Sequence, residues 1–338
     1  MKKPLLSVIV PVFNEEAYIS RCLDSVINKD DPGFPYEILV SNNCSTDGTS
    51  EIINRYRGLP NIIINEHVDH LPANLNWYRA LSEAQGRYVI FLGADDVLSP
   101  NCLEEFITAA TLVDSAAMYV FHSSNYIEAS DVIKEFSAFF PSSAIIPGED
   151  IFSLLLRADP FYVGATFFNK DFIFNRDFFL RYNHCFDISI QIEAAKRGVV
   201  YFSPKPVVIR TWRDGSHLSR NRKDLLAVME HFILKLRAST LNYGGVTQPK
   251  DSQRFILNST VRFTLGEARK SLTCGDMRSA SQLFGFACAL SDEGVKQFNF
   301  SDDPELRISN LEASAVGEAI GHAPFPHLSS ARLIVTAE

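Results

Sequence analysis

The chain has 338 residues, of which 46% are apolar and 21% charged, and its formal net charge is −8. That length supports a large core in one or two domains, and the acidic balance argues against a nucleic-acid partner. No run approaches the roughly 18 apolar residues of a membrane span, and Met1 to Pro4 lead straight into a strand pattern, so neither a spanning helix nor a signal peptide is expected. Six cysteines (Cys22, Cys44, Cys102, Cys185, Cys274 and Cys288) are scattered without a CxxC pair. Reduced thiols in a cytoplasmic protein are the expectation, not a disulfide frame or a zinc site.

The first predicted element is a short apolar strand from Leu5 to Val10, closed by Pro11. Asn14 is placed to cap the next helix, with Glu15 and Glu16 in its first turn, where the dipole favours acids. Ile19, Cys22, Leu23, Val26 and Ile27 then recur at helical spacing until Asp30 to Gly33 break the pattern. Tyr36 to Ser41 form a second strand, and Ser45 or Thr46 caps a helix running to about Arg57. A third strand at Ile62 to Ile64 and a helix at Ala73 to Ala84 follow. The run Tyr88 to Leu92 is too short for a helix and reads as a buried parallel strand. It stops at Gly93-Ala94 and delivers two adjacent carboxylates, Asp95 and Asp96. Ser99 is set to cap the following helix, with Pro100 at its first position, and that helix extends to about Val113.

Strands alternating with helices at this spacing predict right-handed βαβ units and a mostly parallel α/β sheet with helices on both faces. Ala117 to His122 continues the pattern. From about residue 123 to 185 aromatic rings are dense, and core packing accounts for most of them. Phe186 to Arg197 predicts a helix ended by Gly198, with strands at Val199 to Phe202 and Val207 to Trp212. The character changes beyond Ser219. Helical patterns at 225–238, 261–271 and 277–290 make a C-terminal helical extension over 221–338, distinct from the domain at 1–220. The first of them carries Lys235 and Arg237, and either packs on the main domain or rests on a membrane surface.

In an open α/β sheet, ligands bind beyond the carboxyl ends of the strands. Pro11, Phe13, Asn14 and Glu15 follow strand one. Asn42, Asn43, Ser45, Thr46 and Asp47 follow strand two, Asn74 and Asn76 precede strand four, and Asp95 and Asp96 follow it. Amides, hydroxyls and a carboxylate pair on one rim fit a sugar nucleotide whose pyrophosphate is held by a metal. The other reading of the acid pair is an Asp-rich turn before a helix. No GxGxxG follows strand one and no GxxxxGK[ST] occurs, which argues against dinucleotide and P-loop chemistry.

Three blocks carry a resemblance: Ser7-Val-Ile-Val-Pro-Val-Phe-Asn-Glu-Glu16, Asn42-Asn-Cys-Ser-Thr-Asp-Gly-Thr49 and Ala84-Gln-Gly-Arg-Tyr-Val-Ile-Phe-Leu-Gly-Ala-Asp-Asp96. In this order and spacing they resemble a family 2 glycosyltransferase of GT-A fold over about the first 115 residues, with a looser match from Phe186 to Ser219. The resemblance implies an inverting transfer of sugar from a nucleoside-diphosphate sugar to a saccharide or lipid-linked saccharide acceptor. It points to bacterial surface polysaccharide of the O-antigen type. It also implies a cytoplasmic protein, with a peripheral position at the inner face of the plasma membrane if the acceptor is lipid-linked.

By the same resemblance, Pro11, Phe13, Asn14 and Glu15 form one wall of the nucleotide site. Asn42 stands where such enzymes usually carry an Asp that accepts from the base. Asp95 and Asp96 match the last two positions of an Asp-x-Asp-Asp motif, with Gly93 where the first often stands. They imply a divalent cation, Mn²⁺ or Mg²⁺, held by Asp96 with help from Asp95. Asp187 falls where a general base sits, with Phe186 replacing the Glu that commonly precedes it. Its other reading is a helix-terminal acid on the dipole. Arg210 and the loop Trp212-Arg-Asp-Gly-Ser-His-Leu-Ser219 resemble a segment that folds over the diphosphate, so Arg213 or His217 would stabilise its departure. The basic run from Lys196 to Lys223 is otherwise a solvated surface. Two further readings are a nucleotidyltransferase, which lacks its Gly-rich, basic loop here, and a catalytically silent sugar-nucleotide-binding scaffold.

Overall fold

The computed structural model describes residues 3–29, 31–135, 141–157, 161–182, 184–213, 224–239, 249–290 and 332–333. Two compact units divide the chain: one takes in Met1–Leu155, Asp159–Arg213 and Ser330–Glu338, the other Leu156–Ala158 and Asp214–Ser329.

The first unit begins β1 (Leu6–Val12), α1 (Ile19–Ile27), β2 (Tyr36–Asn42), α2 (Thr49–Asn54), β3 (Ile62–Glu66), α3 (Ala73–Glu83) and β4 (Tyr88–Phe91). It continues with β5 (Val97–Leu98), α4 (Cys102–Leu112), β6 (Met118–Ile127), β7 (Val132–Glu135), β8 (Ala144–Ile146), α5 (Gly148–Arg157) and β9 (Thr166–Asn169). Short helices α6 (Lys170–Ile173) and α7 (Arg176–Arg181), then α8 (Phe186–Ala195), β10 (Val200–Trp212) and β11 (Arg332–Leu333), complete it. The sheet order is β11-β8-β10-β6-β9-β4-β1-β2-β3. The strands from β4 to β3 are mutually parallel, and so are β6 and β10. Between these halves β9 runs antiparallel to both β4 and β6.

The parallel strands are those that the alternation of elements predicts, and the antiparallel β9 between them is an addition to that pattern. Because helices cover both faces, the strands are buried on both sides and read as unbroken apolar runs. Leu6, Val8, Ile9, Val10, Val89, Ile90 and Phe91 are fully buried. From α1, Ile19, Cys22, Leu23 and Val26 face inward at the spacing seen in the sequence. The aromatic wealth is largely core, as expected where described: Phe106 stacks on Phe167 at 4.5 Å and meets Tyr88 and Tyr119 edge-on. Phe136, Phe139 and Phe140 lie outside the described residues.

Four local expectations differ, the first being that neither Ser45 nor Thr46 caps α2, whose N-cap is Gly48. The helix after β1 starts at Ile19, not beside Asn14, because Asn14 adopts a left-handed φ of 54° and its side chain bonds to another loop. Ser99 does not cap α4, whose N-cap is Asn101. Instead Val97–Leu98 pair with β10, and the Ser99 N–H donates to the Val207 carbonyl (2.8 Å). The two strands expected at 199–202 and 207–212 form one strand, β10, with irregular register around Pro206.

In the second unit, helices Leu225–Ser239, Pro249–Thr273 and Met277–Leu290 pack around Val228, Ala268 and Leu283. Lys235 is buried, which removes the lysine on which a membrane-resting helix would rely. The Arg237 side chain lies outside the described ones. No helix among the described residues is long and apolar enough to cross a membrane.

Candidate active site

The loops that leave β1 and β2 lock onto each other. The Asn14 N–H donates to Ser45 Oγ (3.0 Å), and Asn14 Oδ1 accepts from the Thr46 N–H (2.7 Å). The Glu15 N–H donates to Thr49 Oγ1 (2.8 Å), and Glu16 Oε2 accepts from the Gly48 N–H (2.7 Å). Asp47 accepts from the Thr49 N–H (3.0 Å) and from the Glu16 N–H (3.2 Å), so it ties the start of α2 to the neighbouring loop. Desolvation pushes its pKa upward, but hydrogen bonds from Thr49 and Glu16 outweigh it and hold Asp47 below the usual carboxylate range. Phe13 is left 42% exposed, with its ring 4.4 Å from that of His70. Pro11, half-buried, precedes it in β1.

Two amides expected on the rim turn inward. Asn42 is fully buried. Its amide donates to Ser50 Oγ (2.8 Å) and Glu66 Oε2 (2.6 Å), and Oδ1 accepts from Ser45 Oγ (2.6 Å). Asn74, 5% exposed, donates to the Phe179 carbonyl (2.6 Å) and ties α3 to α7. Both are supports beneath the rim, because a helix and a strand end close over them.

The acid pair after β4 divides its work. Asp96 is 1% exposed; Oδ1 accepts from the Thr211 N–H (2.8 Å) and Oδ2 from the Tyr162 hydroxyl. Desolvation, then the charge of Asp95, pushes Asp96 up to about 7. Asp95 stays half-buried. Its carbonyl accepts from Arg21 (3.0 Å) and Thr211 Oγ1 (2.5 Å), while Oδ2 pairs with Arg213 Nε (3.2 Å). Arg213 also binds Glu15 (2.6 Å) and lies 4.5 Å from the centre of the Tyr18 ring. Burial and the nearby Asp95 together raise Glu15 above the ordinary range, against the pull of Arg213. Gly93 is glycine for a local reason: a Cβ there would stand 2.7 Å from Asp96 Oδ2.

Each oxygen of Asp96 accepts one hydrogen bond, and Oδ2 of Asp95 accepts one, so each carboxylate keeps acceptor capacity for a cation at this rim. Among the described residues no cluster of three or more His, Cys, Asp or Glu surrounds a metal position. The donor set still fits Mg²⁺ or Mn²⁺ in one manner: these ions bind through one or two carboxylates and take phosphate oxygens and water for the rest.

Asp187 lies in the first turn of α8, with Oδ1 accepting from the Ile188 N–H (2.9 Å). Burial pushes it up to about 6, against the backbone N–H groups and the charge of Arg210. Its neighbour Phe186 is buried edge-on to Trp77 (4.8 Å), which in turn stacks on Phe91 at the end of β4 (4.7 Å). Arg210 sits over the rings of Tyr162 (4.4 Å) and Trp212 (4.8 Å), and its charge acts on both Asp187 and Asp96. Thus Glu15, Asp95 and Arg213 come together, Asp96 is linked to Arg210 through Tyr162, and the charge of Arg210 also acts on Asp187. His217 lies outside the described residues. Sequence reasoning missed Tyr162, Thr211, Arg21 and Tyr18. The only available signal for Tyr162 was its place in an aromatic-rich stretch.

Residues 7–178 match the model of glycosyl transferase family 2. The chain is 34% identical over 113 residues to the poly(ribitol-phosphate) beta-N-acetylglucosaminyltransferase TarS of Staphylococcus aureus, covering 32% of this chain and 18% of that protein. It is 38% identical over 107 residues to the putative teichuronic acid biosynthesis glycosyltransferase TuaG of Bacillus subtilis, covering 30% of this chain and 40% of that one. The matched stretches thus span well under half of these relatives. In fold, residues 1–349 of TarS in complex with UDP align with a TM-score of 0.58 at 17% identity, over 94% of this chain and 92% of that one. The mannosyltransferase PcManGT of Pyrobaculum calidifontis, in complex with GDP-Man and Mn²⁺, aligns with a TM-score of 0.52 at 17% identity, over 94% and 88%. With its family match extending from β1 into α7 and its sheet shared with these GT-A structures, the chain belongs to glycosyl transferase family 2.

Proposed function

We propose that the protein is an inverting glycosyltransferase that moves a sugar from a nucleoside-diphosphate sugar to an acceptor hydroxyl during assembly of a bacterial surface polysaccharide. The observation that carries this reading is Arg210, which lies over the ring of Tyr162, the hydroxyl partner of Asp96, while its charge also acts on Asp187, so that a candidate base and a candidate diphosphate site share one cation. The names of the relatives support a surface glycan; that the acceptor is a saccharide or lipid-linked saccharide, met on the cytoplasmic side of the membrane, belongs to this proposal.

Asp187 takes the proton from the acceptor hydroxyl. A carboxylate raised to about 6 is more basic than an ordinary one yet still ionised at neutral pH. The acceptor oxygen attacks the anomeric carbon from the face opposite the diphosphate, and the bond from that carbon to the phosphate oxygen breaks. Arg213 and Arg210 stabilise the charge that collects on the diphosphate. Asp95 would hold a divalent cation, Mn²⁺ or Mg²⁺, which when bound supplies positive charge to the diphosphate. Phe13, Asn14 and Glu15 line the nucleotide side.

Product from a panel of nucleotide sugars and acceptors, analysed by NMR, is expected to carry an anomeric configuration opposite to that of the donor. Asp187→Asn is expected to reduce turnover far more than donor affinity. Retention of configuration, or equal turnover in the variant, would overturn the assignment.

A further inference from the structure

Three strand ends stand in a row at the nucleotide side of the crevice. Val12 of β1 is in register with Asn42 of β2, and Asn42 with Glu66 of β3. The middle residue is spent. Both ends of the Asn42 amide are bonded inside the protein, and its side chain is fully buried. A carboxylate only accepts hydrogen bonds, so the NH₂ of Asn42 must face Glu66 and the carbonyl must face Ser45. Asn42 Nδ2 (2.6 Å) and Ser50 Oγ (3.3 Å) both hold Glu66 Oε2. Glu66 is itself exposed, and among the described residues its Oε1 receives no donor. A buried amide therefore orients an exposed carboxylate, leaving one oxygen to accept from a ligand.

The surroundings suit a flat heterocycle. The exposed Phe13 ring, just after β1, and His70, just after β3, form a paired aromatic surface. His70 Nδ1 is fixed by donating to the Asn43 carbonyl (3.1 Å), and the Leu71 N–H and carbonyl bind the Asn43 side chain at 3.0 and 2.7 Å. The segment after Glu66 is thus pinned beside β2.

We infer that Glu66 determines which nucleobase the donor carries, admitting bases that present a ring N–H beside a carbonyl and rejecting those that present a ring lone pair. Uracil and thymine at N3, and guanine at N1, donate to the free oxygen. Adenine at N1 and cytosine at N3 set a lone pair against it, and a recognition site with an unpaired polar group discriminates strongly. The inference rests on the reading of this crevice as a nucleoside-diphosphate site.

The test is calorimetric binding of UDP, dTDP, GDP, ADP and CDP to the full chain with Mn²⁺, for the wild type and for Glu66→Gln and Glu66→Ala. Wild type is expected to bind at least one of UDP, dTDP and GDP tenfold or more tightly than ADP and CDP. In Glu66→Gln, the amide oxygen can keep the Asn42 bond and turn its NH₂ outward. That variant is expected to improve CDP or ADP relative to the favoured nucleotide, whereas Glu66→Ala should lose the ranking and leave inorganic pyrophosphate affinity unchanged. Nucleotides that bind the wild type equally well, or folded variants that keep its ranking, overturn the role of Glu66 and leave the nucleotide site standing. If no nucleoside diphosphate binds the wild type, both readings fall.

Discussion

The two sides of the crevice are built by different means. On the side of β1, β2 and β3, the loops hold one another through short polar side chains and backbone N–H groups, as Asn14, Asp47 and Asn42 do. On the side of β4, β9 and β10, carboxylates are set among rings and guanidinium groups: Asp96 against Tyr162, Arg210 over Tyr162 and Trp212, and Asp187 next to Phe186. The first arrangement keeps Asp47 ionised, and the second drives Asp96 and Asp187 towards neutrality. A polar cradle suits recognition of a ligand that arrives charged. A low-dielectric acid suits proton transfer.

Substitutions separate these two roles. Asp187→Asn is expected to lower kcat by about 10²–10⁴-fold with little change in donor Kd, the size associated with a positioned general base. Steady-state kinetics beside calorimetry would show it. Asp96→Ala strands the Tyr162 hydroxyl and the Thr211 N–H, so it is expected to cost about 1–3 kcal/mol of stability for each donor left unpaired, read by denaturant unfolding. A stable but inactive variant would instead make Asp96 a direct participant. Arg213→Gln is expected to weaken binding of the nucleoside diphosphate about tenfold, since hydrogen bonds to charged groups contribute roughly 1.5–3 kcal/mol. On the polar side, Asp47→Ala is expected to cost about 0.5–2 kcal/mol, as loss of a side-chain acceptor at a helix start does, with kcat nearly unchanged. The finest comparison is with pH. Asp187 must be ionised to accept a proton, so kcat should be fully developed above about pH 6 and decline as pH falls through that value. A flat profile down to pH 5 would remove Asp187 from the reaction.

The polar side was the more legible from sequence. Pro11 to Glu16 and Asn42 to Thr49 are contiguous, and their chemistry is written in adjacent residues. Even so, exposure was not legible there. Asn42 and Asn74 look like ligand contacts in a loop, and only the packing of β3 and α7 turns them inward. The helix boundary at Asn14 failed for a similar reason: a competing bond to Thr46 makes a left-handed turn available that a cap rule ignores. On the other side, Tyr162 and Thr211 reach Asp96 from 66 and 115 positions away, and no local pattern announces such partners. The helical extension offered periodicity without chemistry, and its helices were found with shifted ends because apolar spacing marks faces better than termini.

The reversed strand β9 has a consequence for how such a sheet can vary. Because it runs against β4, its beginning lies level with the end of that strand, which is why Tyr162 arrives beside Asp96. One inverted neighbour therefore lets a distant stretch of chain furnish groups to a rim that a wholly unidirectional array would fill only from its own following turns. Alterations in that incoming stretch can reshape the side of the rim beside Asp96 while the interlocked turns after β1 and β2 stay where they are.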